Sequence, residues 1–166
     1  MKIAIISDTH GNAANFKKTV AWLNKENIRL ILHAGDIGSP ESLEESLEDF
    51  KGELLGVLGN MDKDYKILIE EYNKIPRIKI EEKILKTKLE SKNIAITHKP
   101  EDARILAEST KFDLVFYGHT HKPRLERKGE CLLINPGELA GQIFKPCFAV
   151  YDTETEKLEL KILEKL

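Results

Sequence analysis

The sequence predicts an α/β fold in which two β-sheets pack together and carry helices on their outer faces. Three observations predict it. Apolar runs of strand length alternate with amphipathic helical segments through the first half of the chain, β signals dominate the second half, and one further helix interrupts that β-rich half. The 166 residues are expected to form one domain, 1–166, large enough to bury about two thirds of the unfolded surface without disulfides.

Lys2 to Ser7 is a continuous apolar run of the kind buried on both faces of a sheet. A helix follows it, with Phe16, Val20 and Leu23 on one stripe. Ile28 to His33 reads as the second strand. Ser39 is placed to N-cap the next helix with Pro40 at its first position, and Leu43, Leu47 and Phe50 recur at helical spacing. Glu53 to Leu58 is a third strand. Asp62 or Asp64 is expected to cap a third helix that carries Tyr65, Leu68, Ile69 and Tyr72, and Pro76 ends it.

From Arg77 the pattern turns to β structure. Arg77 to Lys83 alternates, Ile84 to Leu89 is expected to pair with it, and Asn93 to Thr97 is another strand. A fourth helix, with Ala103, Leu106, Ala107 and Thr110 on one face, leads to the apolar run Leu114 to Tyr117. Three more strands are expected over Glu130 to Ile134, Cys147 to Asp152 and Lys157 to Leu163. The last alternates Leu158, Leu160 and Ile162 with Lys and Glu, which predicts a half-exposed strand whose charges discourage edge pairing.

Composition narrows the class. Cys131 and Cys147 form no C-x-x-C pair and flank no candidate ligand, so they read as buried or reduced thiols. The opening run Lys2-Ile3-Ala4-Ile5-Ile6 is too short for a secretory apolar core, and no segment approaches a membrane span. A cytoplasmic protein with no membrane partner is expected. The net charge of -2, from 26 basic and 28 acidic side chains, argues against a dedicated nucleic-acid binder while leaving room for a local basic patch.

The chemistry gathers at strand ends. His10 lies in S-D-T-H, Asp36 in H-A-G-D, Asn60 in G-N-M-D, His98 in I-T-H, and His119 and His121 in G-H-T-H. With Asp8 these make seven ligands, too many for one ion and suited to two that share a carboxylate. Imidazole and carboxylate together accept Zn, Mn, Fe, Ni or Co. In extended backbone, residues two apart point the same way, so Asp8 with His10 and His119 with His121 each present a pair of ligands. Gly35, Gly59 and Gly118 each precede a ligand, where a glycine lets backbone approach closely.

Taken singly, several motifs have bland readings. Asp8 could cap a helix, and Asp36 and Asn60 are ordinary turn residues. Five motifs in one order, each at the C-terminal end of a strand where α/β sheets place their sites, decide for metal. His33 lies inside its strand and reads as a core or ligand-supporting histidine ahead of a catalytic one.

In order, S-D-T-H-G-N, H-A-G-D, G-N-M-D, I-T-H and Y-G-H-T-H-K-P resemble the signature of calcineurin-like metallophosphoesterases, in particular the small single-domain prokaryotic phosphodiesterases. N-P-G-E at Asn135 to Glu138 also occurs in that subgroup. The resemblance implies a four-layer α/β/β/α sandwich of two mixed β-sheets and a phosphodiesterase acting on small phosphoesters. It implies two divalent ions per chain, with Mn2+ or Ni2+ favoured over Zn2+, Fe2+ and Co2+. Asp8, His10, Asp36 and His121 would hold one ion. Asp36, Asn60, His98 and His119 would hold the other, Asp36 bridging with its two oxygens. Asp36, Asn60 and His98 become the catalytic residues, Asn60, His98 and Lys99 the substrate contacts. The implied reaction is in-line attack on phosphorus by a hydroxide bridging ions about 3.5 to 4 Å apart.

Two departures from the family pattern bear on chemistry. Many relatives carry a histidine that is thought to protonate the leaving group where this chain has Met61, and a thioether cannot donate a proton. The proton must come from water, metal-bound solvent or another group such as His33, which predicts a preference for acidic leaving groups. Lys99-Pro100 stands where many relatives have Gly-His, which offers an ammonium to the phosphate charge. Two alternatives are a binding scaffold, like the catalytically degenerate retromer subunit of this fold, and a nuclease. That subunit lacks the first-motif histidine, which is present here as His10, and a dedicated nuclease usually adds basic surface. Exposed strands also offer a route to homo-oligomers.

Overall fold

The computed structural model describes residues 1–166. In chain order its elements are β1 (Lys2–Ile6), α1 (Ala13–Lys25), β2 (Leu30–His33), α2 (Pro40–Leu47), β3 (Glu53–Val57), α3 (Tyr65–Lys74), β4 (Ile78–Glu81), β5 (Ile84–Leu89), β6 (Lys92–Thr97), α4 (Pro100–Glu108), β7 (Leu114–Phe116), β8 (Arg124–Lys128), β9 (Cys131–Asn135), β10 (Cys147–Asp152) and β11 (Leu158–Ile162). A 3₁₀ turn, Leu163–Lys165, follows the last strand.

Two mixed sheets result. The first runs β11-β10-β1-β2-β3-β4 and the second β5-β6-β7-β9-β8. β1 to β4 are parallel neighbours, and β10 and β11 join antiparallel. In the second sheet β6, β7 and β9 are parallel, with β5 and β8 antiparallel at the edges.

The period of two in each central strand sorts its side chains into separate cores. Ile3 and Ile5 of β1 enter the core between the sheets with Leu32, Val57, Ile96 and Phe116. Ala4 and Ile6 turn the other way and pack with Phe16, Val20 and Leu23 of α1, Leu43 of α2 and Tyr72 of α3. On the far face of the second sheet, Ala95, Val115 and Leu133 meet Ala103, Leu106 and Ala107 of α4. The layers are therefore helix, sheet, sheet, helix, and the continuous apolar runs are explained by burial on both faces.

Helix starts follow local chemistry. Asn12 caps α1 by accepting from the Asn15 N–H at 3.1 Å. Ser39 and Ser42 form a reciprocal capping box at α2, with Pro40 in the first turn. The expected cap of α3 is different: Asp64 occupies the position in a left-handed conformation (φ 59°) without a side-chain bond, and Asp62 is buried elsewhere. Ile75 takes an extended conformation before Pro76 and ends α3 as expected. Thr110 is not on α4, which stops at Glu108; it lies beyond the helix with φ 57°.

Two β expectations are corrected. Ile84–Leu89 does not pair with the strand before it: β4 is parallel to β3 in one sheet, and β5 is antiparallel to β6 in the other. Only Glu82 and Lys83 separate them, and the chain uses that link to step between sheets instead of reversing. The sequence also gave no sign of β8, whose R-L-E-R-K carries one apolar residue because it is an exposed edge. β11 is the half-buried edge strand expected.

Candidate metal centre

The loops that leave the C-terminal ends of β1, β2, β3, β6 and β7 converge at one mouth of the sandwich. Backbone bonds register the first two: Asp8 N–H to Gly35 O at 3.0 Å, His10 N–H to Asp36 O at 3.0 Å and Gly11 N–H to Ile37 O at 2.8 Å. The Gly118 N–H reaches the His98 carbonyl at 3.1 Å and joins the last two. Asp8, His10, Asp36, His119 and His121 all have left-handed backbone, with φ of 52°, 44°, 53°, 68° and 59°. The pairs two residues apart do face one place, but through alternate left-handed residues and not through the extended backbone expected. Such conformations cost about 1 to 3 kcal/mol each and persist where surrounding bonds hold them.

All seven candidate ligands come together. His10 Nε2 lies 4.0 Å from Asp8 Oδ1, 3.8 Å from Asp36 Oδ2 and 3.4 Å from His121 Nε2. His121 Nε2 is 3.5 Å from Asp8 Oδ1. Asp36 Oδ2 also faces His98 Nε2 at 3.4 Å, so this carboxylate stands between the two histidine sets. Asn60 Oδ1 is 2.9 Å from His98 Nε2 and 2.7 Å from His119 Nδ1. Asp8 is shared by the two tightest groups, Asp8-His10-His121 and Asp8-Asp36-His98.

Protons show what this cluster is suited to hold. His98 Nδ1 is 2.8 Å from the Ala34 carbonyl, which only accepts, so Nδ1 carries the hydrogen and Nε2 presents a lone pair to Asp36 and Asn60. His121 Nδ1 likewise donates to Glu138 Oε2 at 3.0 Å and leaves Nε2 bare toward Asp8. The bare Nε2 atoms of His98 and His121 therefore face Asp36 Oδ2 and Asp8 Oδ1, a concentration of acceptors that a cation or extra protons would relieve. The donor set fits divalent metal, and outer hydrogen bonds of this type orient metal-binding histidines. The cluster perturbs its own titration: burial raises Asp8. His98 is raised because Asp36 overcomes the effect of burial, and Asp36 is lowered by His98 against its own burial. A metal ion competes with protons for these same atoms.

Glycines provide the clearance. A Cβ at Gly59 would lie 2.1 Å from Asp36 Oδ1, and one at Gly118 would lie 1.9 Å from Ser7 Oγ and 2.7 Å from Asp8 Oδ2. Neither position accepts a side chain without moving a ligand.

Three supporting residues were not assigned from sequence. Asp62 accepts from the N–H groups of Gly59 at 2.8 Å, Ile37 at 3.0 Å and Gly38 at 3.1 Å, tying the Asp36 loop to the Asn60 loop. Glu138 is fully buried and accepts from His121 and from the Gln142, Ile143 and Phe144 N–H groups. Asn135 holds the Gly118 carbonyl at 2.8 Å. The signals were G-N-M-D and N-P-G-E, which mark the residues but not their partners.

His33 is a supporting residue. Its Nδ1 accepts from the Gly35 N–H at 3.2 Å, so Nε2–H faces Thr9 Oγ1 at 3.0 Å, and that hydroxyl donates to the Ile37 carbonyl. Burial holds the ring down to about 3, and no ring atom reaches solvent. It therefore cannot serve as the leaving-group acid. Lys99 is exposed at the N-cap of α4 and lines a cleft beside Asn60 and His98. Met61 is 56% exposed, while its backbone N–H donates to Asp36 Oδ1 at 2.8 Å.

Fold and cluster together define a metal-dependent phosphoester hydrolase. Residues 1–156 match the calcineurin-like phosphoesterase superfamily domain. The chain is 30% identical to Phosphodiesterase MJ0936 of Methanocaldococcus jannaschii, over 99% of this chain and all of that one. It is 24% identical to Phosphodiesterase YfcE of Escherichia coli, over 84% of this chain and 80% of that one. A solved archaeal phosphodiesterase superposes with a TM-score of 0.88 at 30% identity, covering 98% of this chain and 99% of its own. Vps29 of Entamoeba histolytica shares the fold, with a TM-score of 0.68 at 18% identity over 98% of this chain and 99% of its own. The chain belongs to the calcineurin-like phosphoesterase superfamily.

Proposed function

We propose that this protein, a single domain over residues 1–166, is a phosphodiesterase that works with two divalent ions, Mn2+ or Ni2+ by preference. The observation that carries the reading is the convergence of Asp8, Asp36, His10, His98 and His121 in one cluster, with the Nε2 atoms of His98 and His121 turned toward the carboxylates by the partners of their Nδ1 atoms. Asp8, His10, Asp36 and His121 would hold one ion, and Asp36, Asn60, His98 and His119 the other. The position of Asp36 Oδ2 between His10 and His98 supports its bridging role. When bound, such ions neutralise phosphoryl charge and supply hydroxide near neutral pH.

The remaining work belongs to the chain. Asn60, His98 and His119 orient the phosphoryl group, and the outer bonds from Ala34 and Glu138 keep His98 and His121 from turning away. Lys99 presents an ammonium to anionic oxygens at the cleft. The leaving oxygen has no side-chain acid at Met61 or His33, so acidic alcohols should depart fastest. An intact His10 in the cluster supports an enzyme over a binding scaffold. No helix is long and apolar enough to cross a membrane, and the buried free thiols Cys131 and Cys147 support a reducing, cytoplasmic setting.

The test is hydrolysis of bis-p-nitrophenyl phosphate by metal-stripped protein after addition of Mn2+ or Ni2+. Turnover that appears with metal, vanishes with chelator and exceeds that of p-nitrophenyl phosphate supports the reading. Absence of turnover with each of the five metals overturns it.

A further inference from the structure

A cleft of about 230 Å³ opens beside the cluster. Asn60 and His98 form its inner wall, so it begins where the ligand set ends. Its outer wall is assembled from three places: Tyr65 in the first turn of α3, the Glu82–Lys83 step between the sheets, and Lys99 with Asp102 at the start of α4. Nearby Lys79 pairs with Glu81 at 3.2 Å. By contrast Glu82, Lys83, Lys99 and Asp102 form no ion pair. Tyr65 is 41% exposed and its ring packs on no other aromatic ring.

Sites that enclose a whole small ligand measure about 300 to 1,000 Å³. This cleft is smaller and suits one part of a substrate whose phosphoryl group sits in the adjoining cluster. That part is an ester arm. A flat ring gains by stacking on Tyr65, the two carboxylates accept from hydroxyl or amino groups, and the two ammonium groups meet further anionic oxygens. A nucleoside arm offers a planar base, sugar hydroxyls and a position for a second phosphate, and so satisfies all three features at once.

We propose that the cleft is the subsite for a nucleoside arm of the diester, with Tyr65 as the platform for its base. The inference rests on the phosphodiesterase reading above. The arm held here is the one that stays on phosphorus.

Three p-nitrophenyl esters that share one leaving group but carry methyl, phenyl or thymidin-5′-yl as the retained arm test this with Mn2+-loaded protein. Because the leaving group is common to all three, ratios of kcat/KM report the arm alone. Efficiency should rise from methyl to phenyl to thymidinyl, mainly through a falling KM. Base–aromatic stacking predicts that Tyr65→Ala lowers the thymidinyl-to-methyl ratio about tenfold. Tyr65→Phe keeps it. Thymidine 5′-monophosphate should also compete with the methyl ester, and its inhibition constant should rise in Tyr65→Ala. Equal efficiency for all arms, or a ratio indifferent to Tyr65→Ala, overturns the subsite. Failure of the wild-type protein to hydrolyse any ester overturns instead the phosphodiesterase reading on which it rests.

Discussion

Replacing Glu138 by alanine should weaken metal binding although Glu138 is no ligand. Its carboxylate accepts from His121 Nδ1 at 3.0 Å, Gln142 N at 2.9 Å, Ile143 N at 2.7 Å and Phe144 N. Burial pushes its carboxyl up, but these donors prevail and hold it below the ordinary carboxylate range. Truncation frees the His121 ring to rotate or change tautomer, and loss of such a partner typically costs 10- to 100-fold in metal affinity, about 1.4 to 2.7 kcal/mol. The three backbone donors belong to exposed residues, so water replaces the carboxylate there and each lost bond costs about 1 kcal/mol. The metal-free variant should therefore lose about 3 kcal/mol of stability. Glu138→Gln keeps an acceptor and the shape of the side chain, and should fall between. Calorimetric titration with Mn2+ and denaturant unfolding of the metal-free protein separate the two effects. Folded Glu138→Ala protein that binds Mn2+ within twofold of wild type would show that His121 needs no such support.

Asp36→Asn should lose metal and nearly all turnover, because the amide offers one neutral acceptor where a shared charge is required; full occupancy at wild-type rates refutes the bridging assignment. Gly59→Ala should depress metal affinity without altering any ligand, since its Cβ would sit 2.1 Å from Asp36 Oδ1; unchanged metal titration counts against that clearance. Burial pushes the thiols of Cys131 and Cys147 up to about 11, so the folded protein should resist alkylation at pH 8 and react fully once unfolded. Rapid labelling of folded protein would contradict this. Both values lie above the ordinary 9.0, so the folded state holds these protons more tightly. That stabilising contribution is complete below pH 9 and is lost as pH rises through 11, where the denaturation midpoint should fall.

Much of the layering was legible because it is written in local periodicity. Ile3 and Ile5 against Ala4 and Ile6 announce a strand buried on both faces, and the stripes of α1 and α2 name the helical faces that cover it. Strand pairing was less legible. Nothing in residues 77–89 distinguishes a hairpin from a step between sheets, because the choice depends on β3 and β6, which come from elsewhere in the chain. β8 was silent because an exposed edge needs no apolar alternation.

By itself the sequence determined which side chains are able to bind metal, since imidazole, carboxylate and amide carry their donor chemistry wherever they lie, and strand ends placed all seven near one mouth. Only the tertiary structure decided how those donors are aimed. The left-handed backbone of Asp8 and His10 is held by bonds to the β2 loop, His121 is turned by Glu138 17 residues away, and Asp62 closes onto Ile37 across 25 residues. Ligand identity is a property of single residues. Orientation comes from hydrogen bonds between segments that meet only when the sheets have formed.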